Sequence, residues 1–290
     1  MITLPAARRA LSAAAPATVS LHAVPLSSAA ADAAGLPRVV FLHGLLGSST
    51  NFRTIQAAAA RSRPTLALDL RNHGRSPHAA AASVDALAAD VGAALRALGG
   101  RSTLVGHSLG GKVAMRLAAA APELVAALVV VDIAPAAYAA ASNPGWASVS
   151  GVVHAAAALD PAPFRTRAEV EAALAALVPE PGVRSFVAQN LVPRAGGGYA
   201  WRVNFPALLA ALPGYAGWEA VRAAPAAAAL EAHFIAGGRS PYIRPEHAPA
   251  IAALFPRAQT HIIADAGHWV HADKPREFWA LLARLLGCVE

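Results

Sequence analysis

The stretch LVGHSLGGKVAM, residues 104–115, joins a short apolar run to a helical one through Gly106, His107, Ser108, Leu109 and Gly110. Glycines two residues before and two after a serine fit a strand-to-helix turn too tight for side chains at those positions. Such a turn lifts the serine above the sheet edge and aims a helix N-terminus at it, which stabilises developing negative charge. A lone G-x-S-x-G often arises by chance, with the serine as an ordinary helix cap. Here the strand-like STLVGH (102–107) precedes it and an unbroken helix pattern over 109–120 follows. Ser108 is therefore the candidate nucleophile.

Working outward, RVVFLHG (38–44), PTLALDL (64–70), AALVVVDIA (126–134), LEAHFIAGG (230–238) and QTHIIAD (259–265) also have the length of buried strands. Helix patterns lie between them at 49–60 and 83–98, and a last one at 274–286. Strands separated by helices predict an α/β fold with a mostly parallel sheet and active residues on loops at the strands' carboxyl ends. TVSLHAVPL (18–26) alternates like an edge strand. From 135 to 225 the rhythm breaks into helical pieces near 146–159 and 167–178, with proline and glycine interruptions. The expected division is a core of 18–134 and 226–290, a helical cap inserted at 135–225, and a leader or tail at 1–17.

With 290 residues the chain can bury a sizeable core. Its hydrophobic fraction of 56% is largely alanine in short runs, and no stretch of ~18 strongly apolar residues predicts a transmembrane helix. The single cysteine, Cys288, excludes an intramolecular disulfide and any cysteine-based metal site. The net charge of +7 comes from scattered arginines, since Lys112 and Lys274 are the only lysines, so no nucleic-acid partner is predicted. Residues 1–31 contain Arg8, Arg9 and no acid, the composition of an organelle transit peptide. A mitochondrial matrix location is expected, with plastid or cytoplasm as alternatives. H-E-x-x-H spacing, a P-loop and a G-x-G-x-x-G after a first strand are all missing, so neither metal nor cofactor is expected.

Two further runs complete a constellation. VFLHGLLGSSTNF (40–52) puts His43 at a strand end, before a glycine-containing loop. By position, the backbone N–H groups of Leu45 and Leu109 would hold an oxyanion, and His43 would brace the loop. IIADAGHWVHADKP (262–275) puts His268 in the loop after the last strand, where a base late in the chain can reach Ser108. His271 is its competitor, nearer the helix start. In LDLRNHGRSPH (68–78), Asp69, Arg71, Asn72 and His73 are expected to brace one another behind the nucleophile. Trp201, Arg202 and Asn204 either line a substrate pocket or lock the cap to the core.

The set HGLLGSSTNF, LDLRNHGRSPH, GHSLGGK, VDIAP, WRVN (201–204), GGRSPYI and AGHWVHADKP resembles the α/β-hydrolase domain-containing protein 11 family and the related bacterial YbfF-type esterases. The resemblance spans about residues 18–286. It implies a serine hydrolase with a helical cap, acting on carboxylic esters such as lipid esters or acyl thioesters. In many α/β-hydrolases the acid that orients the histidine follows the strand here written AHFIAGG, where this chain has Ser240. The alternative position follows the preceding core strand, and there stands Asp132 in VVVDIAP. A carboxylate ending so apolar a strand needs a partner to offset its desolvation, and an imidazolium is one. The expected triad is Ser108, His268 and Asp132, with Ser240 adding a neutral hydrogen bond to the histidine or to Asp132. The alternatives are a catalytically silent hydrolase-fold protein that binds a ligand or a partner enzyme, and an acyltransferase using the same triad.

Overall fold

The computed structural model describes residues 17–219, 221 and 224–288, so the expected leader lies, except for Ala17, outside the described residues. The strands are β1 (Ala23–Leu26), β2 (Arg38–Leu42), β3 (Thr65–Leu68), β4 (Ser102–His107), β5 (Val125–Val131), β6 (Leu191–Pro193), β7 (Tyr199–Trp201), β8 (Glu231–Gly237) and β9 (Gln259–Ile263). The helices of the first half are α1 (Ala29–Ala33), α2 (Arg53–Ala59), α3 (Val84–Leu98) and α4 (Leu109–Ala120). Between β5 and β8 come α5 (Pro144–Ala158), α6 (Arg167–Leu174), α7 (Pro181–Ala188) and α8 (Phe205–Ala216). The chain ends with α9 (Ala248–Leu254), α10 (Val270–Asp273) and α11 (Pro275–Leu286).

Seven strands form one sheet in the order β1-β3-β2-β4-β5-β8-β9, all parallel except β1, which runs antiparallel to β3 at the edge. Alternation along each strand divides the core. Val40, Leu42, Leu104, Leu128 and Val130 face one layer with Leu87 and Val91 of α3 and Val113 and Leu117 of α4. Val39, Phe41, Val105, Val129 and Val131 face the other, with Ile55 of α2 and Phe278 and Leu282 of α11. A strand covered on both faces must be apolar throughout, which is why β4 and β5 read as continuous runs.

The edge strand is shorter than the alternation of 18–26 predicts. Val19 N–H donates to Asp90 Oδ1 (2.7 Å) and His22 N–H to Ser76 Oγ (2.8 Å), so side chains take the donors a longer strand would use. Asp90 also holds Arg71 in a two-pronged ion pair, with 2.5 Å from Nε and 2.6 Å from Nη2, both side chains almost fully buried. In the inserted segment, the helix expected from 146 begins at Pro144 because Asn143 caps it through Trp146 N–H (2.8 Å). The hairpin β6–β7 and helices α7 and α8 fall where the sequence offered no periodicity.

Candidate active site

Ser108 alone makes the turn from β4 to α4, with φ 51° and ψ −117°. Its N–H donates to Val131 O on β5 (3.0 Å). A Cβ at Gly106 would collide with the Gly110 carbonyl, and one at Gly110 with the Leu42 carbonyl. Only glycine lets β2, β4 and α4 approach so closely, which is the tight turn the motif demands.

Asp132 follows β5, also in the left-handed region at φ 54°, a conformation Asp tolerates better than most residues. Its N–H is held by Ile235 O (2.9 Å), and its carboxylate is fully buried. Three donors meet it: Gly237 N–H on Oδ1 (3.0 Å), and Ser240 Oγ and His268 Nδ1 (2.7 Å) on Oδ2. Ser240 thus serves Asp132 rather than the histidine. Because Nδ1 donates to the carboxylate, Nε2 of His268 is free to accept, and it lies 3.0 Å from Ser108 Oγ. This serine, histidine and acid are joined in one chain of hydrogen bonds. Such an arrangement can take the proton from a serine hydroxyl as it attacks and hold the resulting imidazolium against a carboxylate.

Leu45 and Leu109 both line a small cavity beside Ser108, and neither backbone N–H has a protein acceptor among the described residues. Leu109 opens α4, so its N–H is one that the helix leaves free. His43 is buried, with Nδ1 on Gly44 O (2.8 Å) and Nε2 accepting Leu70 N–H (2.9 Å). Burial pushes its pKa down, and a neutral ring bracing the loop is the role its position predicts.

Several further residues near the site take places that the sequence did not foretell, and His271, the competitor of His268, is among them. His107 donates from Nε2 to the backbone carbonyl of His268 (2.8 Å), with ring centroids 4.8 Å apart, so it fixes the loop that carries the base. Burial first, and then the neighbouring His268 and His271, push its pKa well below the usual imidazole value. Tyr242 lies against the His268 ring at 4.2 Å. Lys112 is buried beneath the site, where Nζ donates to Tyr215 O (2.7 Å) and Gly217 O (2.6 Å), fastening α4 to the end of α8. Burial pushes its pKa down to about 7. His271 packs on Phe52, 5.0 Å between ring centroids, and burial lowers its pKa to about 4; it makes no hydrogen bond to Ser108.

Trp201, Arg202 and Asn204 do not line the cavities at Ser108. Of the three, Asn204 and the Arg202 backbone bond to the core, whereas Trp201 bonds within the insertion. Trp201 Nε1 donates to Leu159 O (2.9 Å), Arg202 O accepts His78 Nε2 (2.8 Å), and Asn204 Nδ2 donates to Asn72 Oδ1 (3.0 Å). The Arg202 and Asn204 bonds cross the seam between the insertion and the 68–78 loop, the Trp201 bond stays within the insertion, and Arg202 Nε is buried with no hydrogen-bond partner among the described residues. That loop is also braced differently from expectation. Arg71 pairs with Asp90 of α3, Asp69 accepts Ser49 N–H (2.6 Å) and Arg75 N–H (2.7 Å), and only His73 Nδ1 bonds within the expected group, to Arg71 O (2.9 Å). Buried charge is met here by the nearest complementary group on another element.

Comparison with known proteins gives a consistent result. Residues 37–275 match the family described as alpha/beta hydrolase fold. The chain is 40% identical over 263 residues to "sn-1-specific diacylglycerol lipase ABHD11" of Mus musculus, covering 89% of this chain and 84% of that one. It is 34% identical over 250 residues to "Esterase YbfF" of Escherichia coli, covering 86% and 92%. A solved structure described as "Marine microorganism esterase" superposes with a TM-score of 0.86 at 29% identity, covering 92% of this chain and 99% of that one.

Proposed function

Because the chain belongs to the alpha/beta hydrolase family and is a carboxylic ester hydrolase, we propose that Ser108, His268 and Asp132 are its catalytic triad. The observation that carries this reading is the unbroken sequence of contacts from Asp132 Oδ2 through His268 to Ser108 Oγ, 2.7 and 3.0 Å. Ser108 Oγ attacks the ester carbonyl carbon while His268 Nε2 takes its proton. The backbone N–H groups of Leu45 and Leu109 stabilise the oxyanion. As the intermediate collapses, the carbon–oxygen bond to the alcohol breaks and His268 returns the proton to the leaving oxygen. Water, deprotonated by the same histidine, then cleaves the acyl-enzyme and restores Ser108.

The substrates proposed are lipid esters or acyl thioesters with short to medium acyl groups, and residues 135–225 act as a helical cap over the core. The mouse relative is named a diacylglycerol lipase, which supports a glyceride as one such ester. The test is acid release from p-nitrophenyl butyrate, dibutyrylglycerol and butyryl-CoA. Hydrolysis of at least one is expected, and failure on all three rules out the proposal. Transfer of the butyryl group to an added alcohol, with little free acid, would mark an acyltransferase instead.

Among the described residues no helix is long and apolar enough to cross a membrane. We assign the chain to the mitochondrial matrix on the composition of residues 1–31, with Arg8, Arg9 and no acid. A reporter carrying residues 1–30 is expected to be imported into mitochondria. A diffuse cytosolic signal contradicts this.

A further inference from the structure

Ser108 lies between two cavities of different character. One, a chamber of about 50 Å³, is lined by Ser108 and His268 together with Val152, Val183, Phe186 and Trp269. The other, of about 20 Å³, is lined by Ser108, Leu45 and Leu109 with Tyr138, Trp146 and Tyr215, and His268 is not part of its wall. The chamber continues outward. Val183, Phe186, Trp269 and His271 also line a groove of about 800 Å³, where Ile55 and Trp279 add apolar surface. Phe186 and Trp269 face each other across this passage, 5.9 Å between ring centroids.

Building on the triad proposed above, we infer that the substrate is divided at Ser108 in one direction: the acyl group enters the small cavity, and the alcohol portion lies in the chamber and groove. The reason is where the proton goes. The leaving oxygen must face His268 Nε2 to receive it, and the oxyanion must face Leu45 and Leu109. The leaving group therefore occupies the cavity that His268 lines, and the acyl carbons take the remaining direction, into the cavity that His268 does not line; Leu45 belongs to both walls and Leu109 only to the smaller one. Tyr138, Tyr215, Tyr242, Ile133 and Lys112 are buried and close that cavity on the core side. Trp146 of α5, half-buried, closes it on the other. The preferred ester thus combines a short acyl group with a large apolar alcohol, and Trp146 sets the acyl length while Phe186 and Trp269 admit the alcohol.

Two substrate series separate these roles: p-nitrophenyl acetate, butyrate and octanoate, and the acetates of butanol, octanol and dodecanol, whose leaving groups are equally basic. In the wild-type enzyme kcat/KM is expected to fall roughly tenfold or more from butyrate to octanoate, since misfit carbons in a closed pocket cost about that much. Among the acetates of larger alcohols, no comparable loss is expected. Trp146→Ala should recover octanoate relative to acetate, while Phe186→Ala should leave that ratio unchanged and alter discrimination among alcohols. Circular dichroism and fluorophosphonate labelling of Ser108 in each variant report an intact fold and nucleophile. Should a variant fail to fold, the two wild-type series decide alone. A wild-type enzyme that accepts octanoate as readily as acetate but rejects dodecyl acetate overturns the assignment and leaves the triad untouched, as does a Phe186 variant that shifts acyl length. Wild-type protein without turnover on any ester overturns the triad reading, and this one with it.

Discussion

Replacing Asp132 by Asn is expected to lower kcat by roughly 10³ to 10⁴ while leaving the fold intact. The amide keeps the volume of the carboxylate and can still accept from Gly237 N–H, now 3.0 Å from Oδ1. What it loses is the charge that stabilises the imidazolium and the acceptor that keeps the proton on Nδ1 of His268, where the ring now sits 2.7 Å from Oδ2. Ser240→Ala removes one neutral donor from the same oxygen, an interaction worth about 1 kcal/mol, so a loss of roughly tenfold or less is expected. Asp265, also at positive φ (56°), is exposed and makes no hydrogen bond to His268, so Asp265→Asn should change little. Steady-state kinetics on p-nitrophenyl butyrate with circular dichroism on each variant make the comparison. Turnover of Asp132→Asn within tenfold of wild type, with either of the other substitutions abolishing it, would assign the acid elsewhere.

Ser108→Ala and His268→Ala are each expected to lower kcat by about three orders of magnitude or more, and the double variant by little beyond the worse single one. The non-additivity follows from the geometry. His268 Nε2 meets Ser108 Oγ at 3.0 Å and serves catalysis through that hydroxyl, so removing either group removes the same step. Neither change should unfold the protein, because the turn at Ser108 is held by its backbone bond to Val131 O and by the glycines around it. A double variant slower than either single one by a further thousandfold would mean that the two residues act independently.

Much of this site was legible in the sequence because it is fixed by backbone. Gly106 and Gly110 announce a turn that only glycine allows, and the apolar run before Asp132 announces a strand buried on both faces. Loops at strand ends then bring Ser108, Asp132 and His268 together whatever their separation in sequence. Side-chain destinations were less legible. Arg71 sits next to Asn72 and His73 in the chain but pairs with Asp90, because α3 brings a buried carboxylate to its guanidinium. Asn204 could have faced substrate, yet its amide meets Asn72 across the seam. The 135–225 segment hid most. Its α7 and the short β6–β7 hairpin cover only part of the core, so they need no long hydrophobic period, and α8 holds Pro213 within it. His107 was visible as the second residue of the motif, but its bond to the His268 carbonyl depends on two loops meeting in space.

The central claim is that Ser108 is the nucleophile, and it is tested most directly by the mass of the protein after reaction with a fluorophosphonate. The phosphorus centre reacts with a serine only when a neighbouring base has activated it. A single adduct is expected on the wild-type chain, mapped by peptide sequencing to the fragment containing Ser108, with none on Ser108→Ala. An adduct at another residue, or unchanged labelling of the Ser108→Ala protein, contradicts the claim.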